Sequence, residues 1–538
     1  MDALVILIPL MPLSAAAVVG LGHLFGFIDG ETGESLTADI VGWAITMSCL
    51  LALALLGADL LGKNTGTYTL GHWLNSDTLD IPVNFITTGF HVRLAALFAV
   101  LLAIVVRFSM NYMHREVGYH RFFFMLSLFS SAMLLLVLSG NAVGTFIGWE
   151  IAGLSSYFLI AYAYDRPVAA ANATRVFVTN RIGDAGFILG IGLTYAWVGS
   201  INWNDLNAAA AQLSSGEVTA IALCFSVAAF AKSAQLPFTS WLGRAMEGPT
   251  PSSAVFYGAV MVHAGVYLII LLRPVFEYST LAMAVLAVVG LITAVYSFVV
   301  GLTQTDVKSS LIFATSGQLG LMFLECGLGF WQLAGWHLCA HAVVRGYLFL
   351  TAPSLMHNVH GLSVDSSPRL DPVGDTPAWR YVASVQRFWL DPITDWALVK
   401  PVRGLAHDLS YFDDHIVDRI MGGAAPAIQA ISSLAQLEER MIGAQLDKAS
   451  APAHAPYLRP VGNDSDKFAR GSGLAGKLTE WTAAILHWFE DRFVLRGIGK
   501  DTINYGRQLG HIANKFEQSV LRPRYLVLFV FITLLVAF

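Results

Sequence analysis

The chain has 538 residues, of which 55% are hydrophobic and 13% are charged, and its mean hydropathy is +0.60. This composition excludes an ordinary soluble globular protein, in which about 25% of the residues are charged. The formal net charge of -5 is small for a chain of this length and argues against a nucleic-acid partner.

Uncharged apolar runs recur along residues 1–357. Such runs span residues 4–27, 41–58, 94–106, 122–138, 187–198, 218–231, 281–302 and 311–324. Further runs, around Glu150, over residues 253–272 and around His337, contain polar interruptions. Because about 20 apolar residues cross the bilayer core, the sequence predicts an all-α polytopic bundle of about eleven helices over residues 1–357. The first run lacks a basic leader and a small-residue cleavage site, so we expect a retained helix.

The placement of lysine and arginine predicts the orientation, since cytoplasmic loops retain positive charge. Basic residues gather over residues 107–121 and 166–181, whereas residues 199–217 contain none. This count places the N-terminus outside a cell (inner) membrane and the tail in the cytoplasm. The acidic loop over residues 29–34 falls on the cytoplasmic side in this count and gives no support to the predicted orientation.

The remaining residues differ in composition from the bundle. Residues 358–522 form a polar tail, and residues 523–538 are apolar enough to predict a C-terminal membrane helix. The tail contains two related segments, beginning at Phe412 and Phe489, in which apolar residues recur at helical spacing beside charges. They indicate amphipathic helices on the membrane surface or a partner subunit, with ordinary solvated helices as the alternative. Residues 451–473 have the composition of a linker.

Ionisable residues interrupt several of the apolar stretches. They are Glu150, Lys232, Lys308, His337, His341 and Arg345. A charge near the bilayer centre costs a few kcal/mol on insertion scales, so each should face a wet interior or a charged partner, as in proton relays. The sequence therefore predicts a membrane-embedded proton conductor.

His337, His341 and Arg345 are spaced i, i+4 and i+8, which places them on one stripe of a helix. Imidazole is the side chain whose unperturbed pKa lies nearest neutrality, so stacked histidines can accept and release protons with little driving force. The alternative is two core histidines whose hydrogen bonds are satisfied, followed by an arginine that extends to the membrane interface.

Lys232 follows an apolar run and precedes Pro237, which disrupts a helix and frees carbonyl groups. A lysine beside such a break is suited to switching protonation, although a lysine at the membrane edge is the alternative. Glu150 has no basic neighbour in sequence, and an isolated buried carboxylate needs a partner from another helix. Our hypothesis is that Glu150 pairs with Lys232.

The other ionisable positions each leave two interpretations open. Asp184 lies near Arg175 and Arg181, so it belongs either to a surface ion pair or to a channel entrance. Lys308 is either a boundary residue or the next step of a relay after Lys232. The sequence contains no phosphate loop, dinucleotide fingerprint, haem motif or iron–sulfur spacing, so we predict no cofactor and no metal site. Any redox chemistry would belong to another chain.

Several motifs occur together in the order found in one family of membrane subunits. They are Gly148-Trp-Glu-Ile-Ala-Gly-Leu-Ser-Ser-Tyr, Thr179-Asn-Arg-Ile-Gly-Asp, Lys232-Ser-Ala-Gln-Leu-Pro, Gly248-Pro-Thr-Pro-Ser-Ser-Ala, Gln304-Thr-Asp-Val-Lys and His337-Leu-Cys-Ala-His. The chain thereby resembles the antiporter-like subunits of respiratory complex I, chain L in particular, and of the multisubunit cation/proton antiporters.

The resemblance implies inverted repeats, broken helices and a hydrated polar axis at mid-membrane. It implies that Glu150 is the family's glutamate and Lys232 its broken-helix lysine, and that Lys308, His337 and His341 form its central relay. Asp184 matches an acidic residue near the channel.

This sequence also departs from chain L. Arg345 stands where chain L usually has lysine, and a guanidinium could stabilise charge but could hardly pass a proton on. Tyr257 occupies a place where the family often has histidine, while His263 follows shortly after. The spans that carry the family's terminal membrane lysine are missing before the polar tail, which implies a curtailed second half-channel.

This shortening favours a resemblance to the DabB-type subunits of two-component inorganic-carbon transporters. That resemblance implies a large DabA-like, zinc-containing partner in which cation flux, of protons or sodium ions, drives conversion of CO2 to bicarbonate. On this interpretation the chain is a transporter subunit and not an enzyme. The alternative is a proton-pumping, chain L-like subunit of an NADH or ferredoxin:quinone oxidoreductase, with other complex I membrane subunits as partners, which would count as a translocase. A membrane scaffold with dispensable buried charges is a third hypothesis.

Overall fold

The computed structural model describes residues 2–75, 80–304, 306–359 and 378–412. Most of the predicted tail therefore lies outside the described residues. This applies to the linker over residues 451–473, the segment beginning at Phe489, the C-terminal helix over residues 523–538 and nearly all of the segment beginning at Phe412.

The described chain is almost entirely helical. Its first half comprises a 3₁₀ turn (Asp2–Ile6), α1 (Leu7–Leu24), α2 (Gly30–Leu60), β1 (Thr67–Asn75), β2 (Asp80–Ile86), α3 (Gly89–Tyr112), α4 (Tyr119–Leu138), α5 (Ala142–Ile160), α6 (Pro167–Val198), α7 (Trp203–Ala209) and α8 (Ser215–Lys232). Its second half comprises α9 (Ser240–Arg244), α10 (Thr250–Ser253), α11 (Ala264–Leu271), α12 (Arg273–Glu277), α13 (Thr280–Gly301), α14 (Val307–Gly327), α15 (Trp331–Val359), α16 (Ala378–Val385), α17 (Leu390–Thr394) and α18 (Lys400–Phe412).

Within the described residues, ten helices are long and apolar enough to cross a membrane. They are α1 with its preceding turn, α2 to α6, α8, the segment Thr250–Leu271, α13 and α14. Helix α15, 29 residues long, follows them and carries His337, His341 and Arg345. The prediction of an all-α polytopic membrane protein is confirmed.

Two of the membrane elements are interrupted, and both interruptions lie in the interior. Helix α8 ends at Lys232, and the chain continues through a cis Leu236–Pro237 peptide bond before α9. Between α10 and α11 lies a π-helical turn (Ala254–Ala259) followed by a 3₁₀ turn (Met261–His263). Such irregular backbone is tolerated in a membrane only where it is buried in protein or lines a polar cavity.

A two-stranded antiparallel hairpin, which the sequence analysis did not predict, follows α2. Asn141, the residue before α5, ties the hairpin to the bundle. Its side chain accepts a hydrogen bond from the Gly144 amide at 2.7 Å and donates to Pro82 O at 2.7 Å and to Asn84 Oδ1 at 2.6 Å. One buried amide thus caps a helix and fixes the outer end of the bundle.

We expect Asn141→Ala to lower the free energy of unfolding by about 2–4 kcal/mol, because it removes a helix cap and two hydrogen bonds. The measurement is the thermal unfolding midpoint in detergent. Asn75→Ala, at the exposed end of β1, is the control. An equal loss in the two variants would contradict the anchoring role of Asn141.

The loops on the two sides of the bundle differ in charge. Those on the hairpin side contain Lys63 and Arg273, whereas basic residues concentrate at the opposite ends of α3, α4 and α6. The positive-inside rule places that opposite side in the cytoplasm. Glu34 belongs to the acidic loop over residues 29–34, whose charge did not support this orientation. On the cytoplasmic side its carboxylate accepts from His114 Nδ1 at 2.8 Å and from the Arg115 amide.

Candidate functional site

The first polar cluster lies where α5, α6 and the end of α8 meet. Helices α4 and α5 pack very closely at Gly148, where a Cβ atom would lie 2.7 Å from Ala132 O. This contact positions Trp149 and Glu150 toward α6. At Gly153, one turn further, a Cβ atom would lie 3.2 Å from Arg181 Nη2. The small residues therefore leave room for charged side chains inside the bundle.

Glu150 forms an ion pair with Arg181 of α6. The hypothesis that its direct partner is Lys232 was therefore wrong. The sequence analysis treated Arg181 as a loop residue, but α6 begins at Pro167 and carries Arg181 almost four turns into the membrane. A charged residue this deep in a span is expected to have such a partner.

Lys232 is only 1% exposed, so it lies in the interior of the bundle. Its Nζ donates a hydrogen bond to Trp149 O at 3.0 Å and lies 5.0 Å from the centre of the Trp149 ring. It also lies 3.4 Å from the position of a Cβ at Gly153, beside the Arg181 guanidinium. An ammonium group held by one carbonyl and a ring face retains N–H groups that can donate to water.

Asp184 completes this cluster and is also buried. Its Oδ1 accepts a hydrogen bond from Trp149 Nε1 at 2.8 Å, and its Oδ2 forms an ion pair with Arg181 Nη2 at 2.9 Å. The interpretation as a surface pair is therefore excluded. The formal charges of Glu150, Asp184, Arg181 and Lys232 sum to zero, so the cluster is balanced only while Lys232 is protonated.

The second cluster is built around His341 of α15. Arg345 Nε donates to His341 Nε2 at 3.2 Å, so a neutral His341 carries its hydrogen on Nδ1. That atom lies 2.9 Å from His263 Nε2, which must then accept. His263 in turn carries its hydrogen on Nδ1, the end of a directed chain from Arg345 through His341 to His263.

His337 continues this cluster toward the extracellular end of α14. Its Nδ1 lies 2.9 Å from Glu325 Oε1, its Nε2 lies 2.8 Å from Gln318 Oε1, and its ring centre is 6.1 Å from that of His341. The doubly protonated ring can donate to both neighbours. Since the Gln318 amide can turn to present its NH₂ group, the same geometry also suits a neutral ring. His337 can therefore change its protonation state without leaving its place.

Lys308 is the predicted residue that the structure does not bring into either cluster. It lies in the first turn of α14, at the cytoplasmic end, and donates to Thr250 Oγ1 at 2.9 Å. Thr250 Oγ1 is in turn 3.1 Å from Tyr112 Oη. The geometry fits a cytoplasmic boundary position more closely than a step directly after Lys232.

The broken helix connects the two clusters. Ser233, the residue after Lys232, donates from Oγ to Val262 O at 2.6 Å, directly before His263. This approach requires glycine at position 265, where a Cβ atom would lie 2.3 Å from Ser233 Oγ. Within the described residues, Gln235 Oε1 and His263 Nδ1 are buried without a hydrogen-bond partner. Buried polar atoms of this kind are where internal water binds.

Sequence analysis missed Arg181, Gln318 and Glu325, and it noted His263 without assigning it. Glu325 directly follows the apolar run that ends at residue 324, so it looked like a boundary residue. A search for polar residues one turn beyond each run would have found it. Among the described residues, no group of three or more His, Cys, Asp or Glu side chains could hold a metal ion.

These features define a multi-pass membrane protein whose bundle contains broken helices and two buried polar clusters. Residues 139–370 match the family described as "NADH:quinone oxidoreductase/Mrp antiporter, TM". The chain is similar to NADH-quinone oxidoreductase subunit L of Neisseria meningitidis, with 36% identity over 66% of this chain and 54% of the relative. It is also similar to NAD(P)H-quinone oxidoreductase chain 5 of a Picosynechococcus species, with 37% identity over the same shares.

Solved structures show a related fold. The Mrp complex from a Dietzia species aligns with a TM-score of 0.58 and 25% identity, over 66% of this chain and 38% of that chain. The membrane-bound sulfane sulfur reductase, an archaeal respiratory membrane complex, aligns with a TM-score of 0.55 and 19% identity over 65% of this chain, a likeness of fold alone. The chain spans about half the length of the curated relatives it matches. Residues 139–370 are thus similar to the membrane domain of the family that is described by both complex I and Mrp subunits.

Proposed function

We propose that this chain is an ion-translocating membrane subunit that conducts protons between the Lys232 cluster and the extracellular end of α14. The observation that carries the proposal is the sequence of polar groups from Lys232 through the broken helix to His263, His341 and His337. Charged and imidazole groups in a membrane interior are costly, and such groups typically line ion pathways. Most of the polar groups along this pathway are amine and imidazole nitrogens, which suit proton transfer better than the binding of sodium ions.

The finer proposal is that the chain energises a two-component inorganic-carbon uptake complex. Within the described residues, the segment after α15 packs on the cytoplasmic side of the bundle. Asp395 forms an ion pair with Arg175 Nη2 at 2.9 Å, and Ser384 Oγ donates to Val299 O at 3.1 Å. This arrangement supports a membrane domain that is short relative to chain L, as the carbon-uptake interpretation expects. The partner would be a large, zinc-containing, DabA-like subunit.

Co-expression with such a partner in a strain lacking carbonic anhydrase tests this proposal. We expect growth in air, lost when a protonophore collapses the gradient. Replacing the proton gradient by a sodium gradient in vesicles identifies the cation. Failure to rescue growth, when both chains are present and assembled, would overturn the role in carbon uptake.

The names of the relatives favour one alternative, a pumping subunit of a quinone oxidoreductase. Affinity purification from native membranes separates the two. One large co-purifying partner supports carbon uptake, whereas a set of oxidoreductase subunits with quinone reductase activity supports the alternative. The same ion pathway would serve in both assemblies.

A further inference from the structure

A histidine and a tyrosine outside both clusters form a second polar connection to the extracellular side. Tyr267 of α11 is fully buried, and its hydroxyl donates to Val137 O at 2.7 Å. His91 Nδ1 lies 2.6 Å from the same oxygen and therefore donates to it. The two rings meet edge to face with their centres 5.6 Å apart. The proposed pathway through His337 does not use this pair.

Tyr267 lies one helical turn after His263, and residues four apart share one face of a helix. His263 is 0% exposed, and its Nδ1 carries a hydrogen that no described residue accepts. The phenol oxygen of Tyr267 is an acceptor one turn away in the extracellular direction. One water molecule between the two groups would complete the connection.

His91 lies in the first turn of α3, at the extracellular end of the bundle, and its side chain is partly exposed. The Gly89 amide, which begins this helix, donates to Asp59 Oδ2 at 3.1 Å. The Asp59 carboxylate thus holds the start of the helix that carries His91. Imidazole is the side chain best suited to proton exchange near neutral pH.

Resting on the proposed function, we propose that Tyr267 and His91 form a second extracellular branch of the proton pathway, starting from His263. An outward proton leaves His263 Nδ1 and reaches the Tyr267 oxygen through one water molecule. The transfer requires the other neutral tautomer of His91, in which Nδ1 is free and the hydrogen lies on Nε2. The tyrosine hydroxyl then turns from Val137 O and gives its own hydrogen to Nδ1, and His91 releases the Nε2 hydrogen to the outside, which returns the ring to the tautomer that donates to Tyr267. One proton enters, one leaves, and no residue changes its net protonation.

The test measures the initial proton flux of the full chain in liposomes with an interior pH dye. Tyr267→Phe removes the hydroxyl and keeps the ring. His91→Asn keeps an N–H at the place of Nδ1 but has no second nitrogen to release a proton. Tyr257→Phe is the matched control, because Tyr257 is equally buried and its hydroxyl donates to a backbone carbonyl, Leu242 O.

If two exits operate in parallel, blocking both at once should lower flux far more than the product of the two single effects. We expect Tyr267→Phe and Glu325→Gln each to lower flux about twofold, and the double variant to lower it more than about 20-fold, where independent effects would multiply to about fourfold. A loss of flux near fourfold in the double variant would overturn the branch. A flux in Tyr267→Phe equal to that in Tyr257→Phe would overturn it as well.

A second double variant distinguishes a folding defect from a defect in the pathway. His91→Asn combined with Glu325→Gln leaves the bond from Tyr267 to Val137 O in place, and we expect the same 20-fold loss there. No flux through the unaltered chain would refute the proposed function and not the branch alone. Flux abolished by Glu325→Gln alone would show a single exit and overturn the branch.

Discussion

Lys232→Gln is expected to lower proton flux on the order of 10²-fold, the scale on which a positioned proton-transferring group contributes. Glutamine retains an N–H group that can donate to Trp149 O but cannot exchange a proton near neutral pH. Lys232→Arg is expected to fail similarly, because a guanidinium stays protonated. The measurement is the initial rate of interior pH change in liposomes. Lys63→Gln, on an exposed extracellular loop, is the matched control.

A change in charge balance could also impair folding, and a compensated variant removes that ambiguity. Lys232→Gln leaves the cluster with one excess negative charge, whereas Lys232→Gln combined with Asp184→Asn restores neutrality. We expect the double variant to recover the thermal unfolding midpoint and not the flux. Recovery of flux together with stability would contradict a proton-carrying role for Lys232 and assign it a structural one.

The position of each polar group along the chain was largely predictable, but its partner was not. Glu150 and Lys232 stood out because a charge in an apolar stretch is rare, and Pro237 marked the break because proline removes a helix hydrogen bond. The pairing of Glu150 with Arg181 depends on how α5 and α6 cross, which periodicity within a single helix does not encode. The long helix α6 also hid Arg181, since its uncharged run begins only at residue 187.

In the second cluster, too, the sequence predicted the positions of the polar residues but not all of their partners. The i, i+4, i+8 stripe on α15 predicted that His341 and Arg345 lie together, and they form a hydrogen bond. The stripe contained no information on His263, which reaches His341 only because the chain between α10 and α11 departs from α-helical geometry. A π-helical turn shifts the register of all side chains after it, so ideal helical spacing misplaces them.

In the Tyr267→Phe background, where only the exit through His337 remains, His341→Asn is expected to lower flux at least about tenfold, because His341 connects His263 to the rest of α15. Asparagine places an N–H where Nδ1 lies, so the hydrogen bond to His263 can persist. It has no ring nitrogen at the place of Nε2, so Arg345 loses its acceptor and the directed chain is cut. His72→Asn, in the exposed hairpin, is the matched control. Flux equal in the two variants would contradict the pathway through His341.

Arg345→Lys separates the two roles that a cation next to His341 could have. If Arg345 only donates a hydrogen bond and holds a fixed charge, lysine can replace both functions, and we expect at least about half of the flux to remain. Arg345→Leu removes the donor and the charge, so Nε2 of His341 becomes free to take the hydrogen and the chain loses its direction. In the same Tyr267→Phe background we expect Arg345→Leu to lose flux about tenfold, comparable with His341→Asn. Equal loss in the lysine and leucine variants would mean that the guanidinium geometry itself, and not its charge, controls His341.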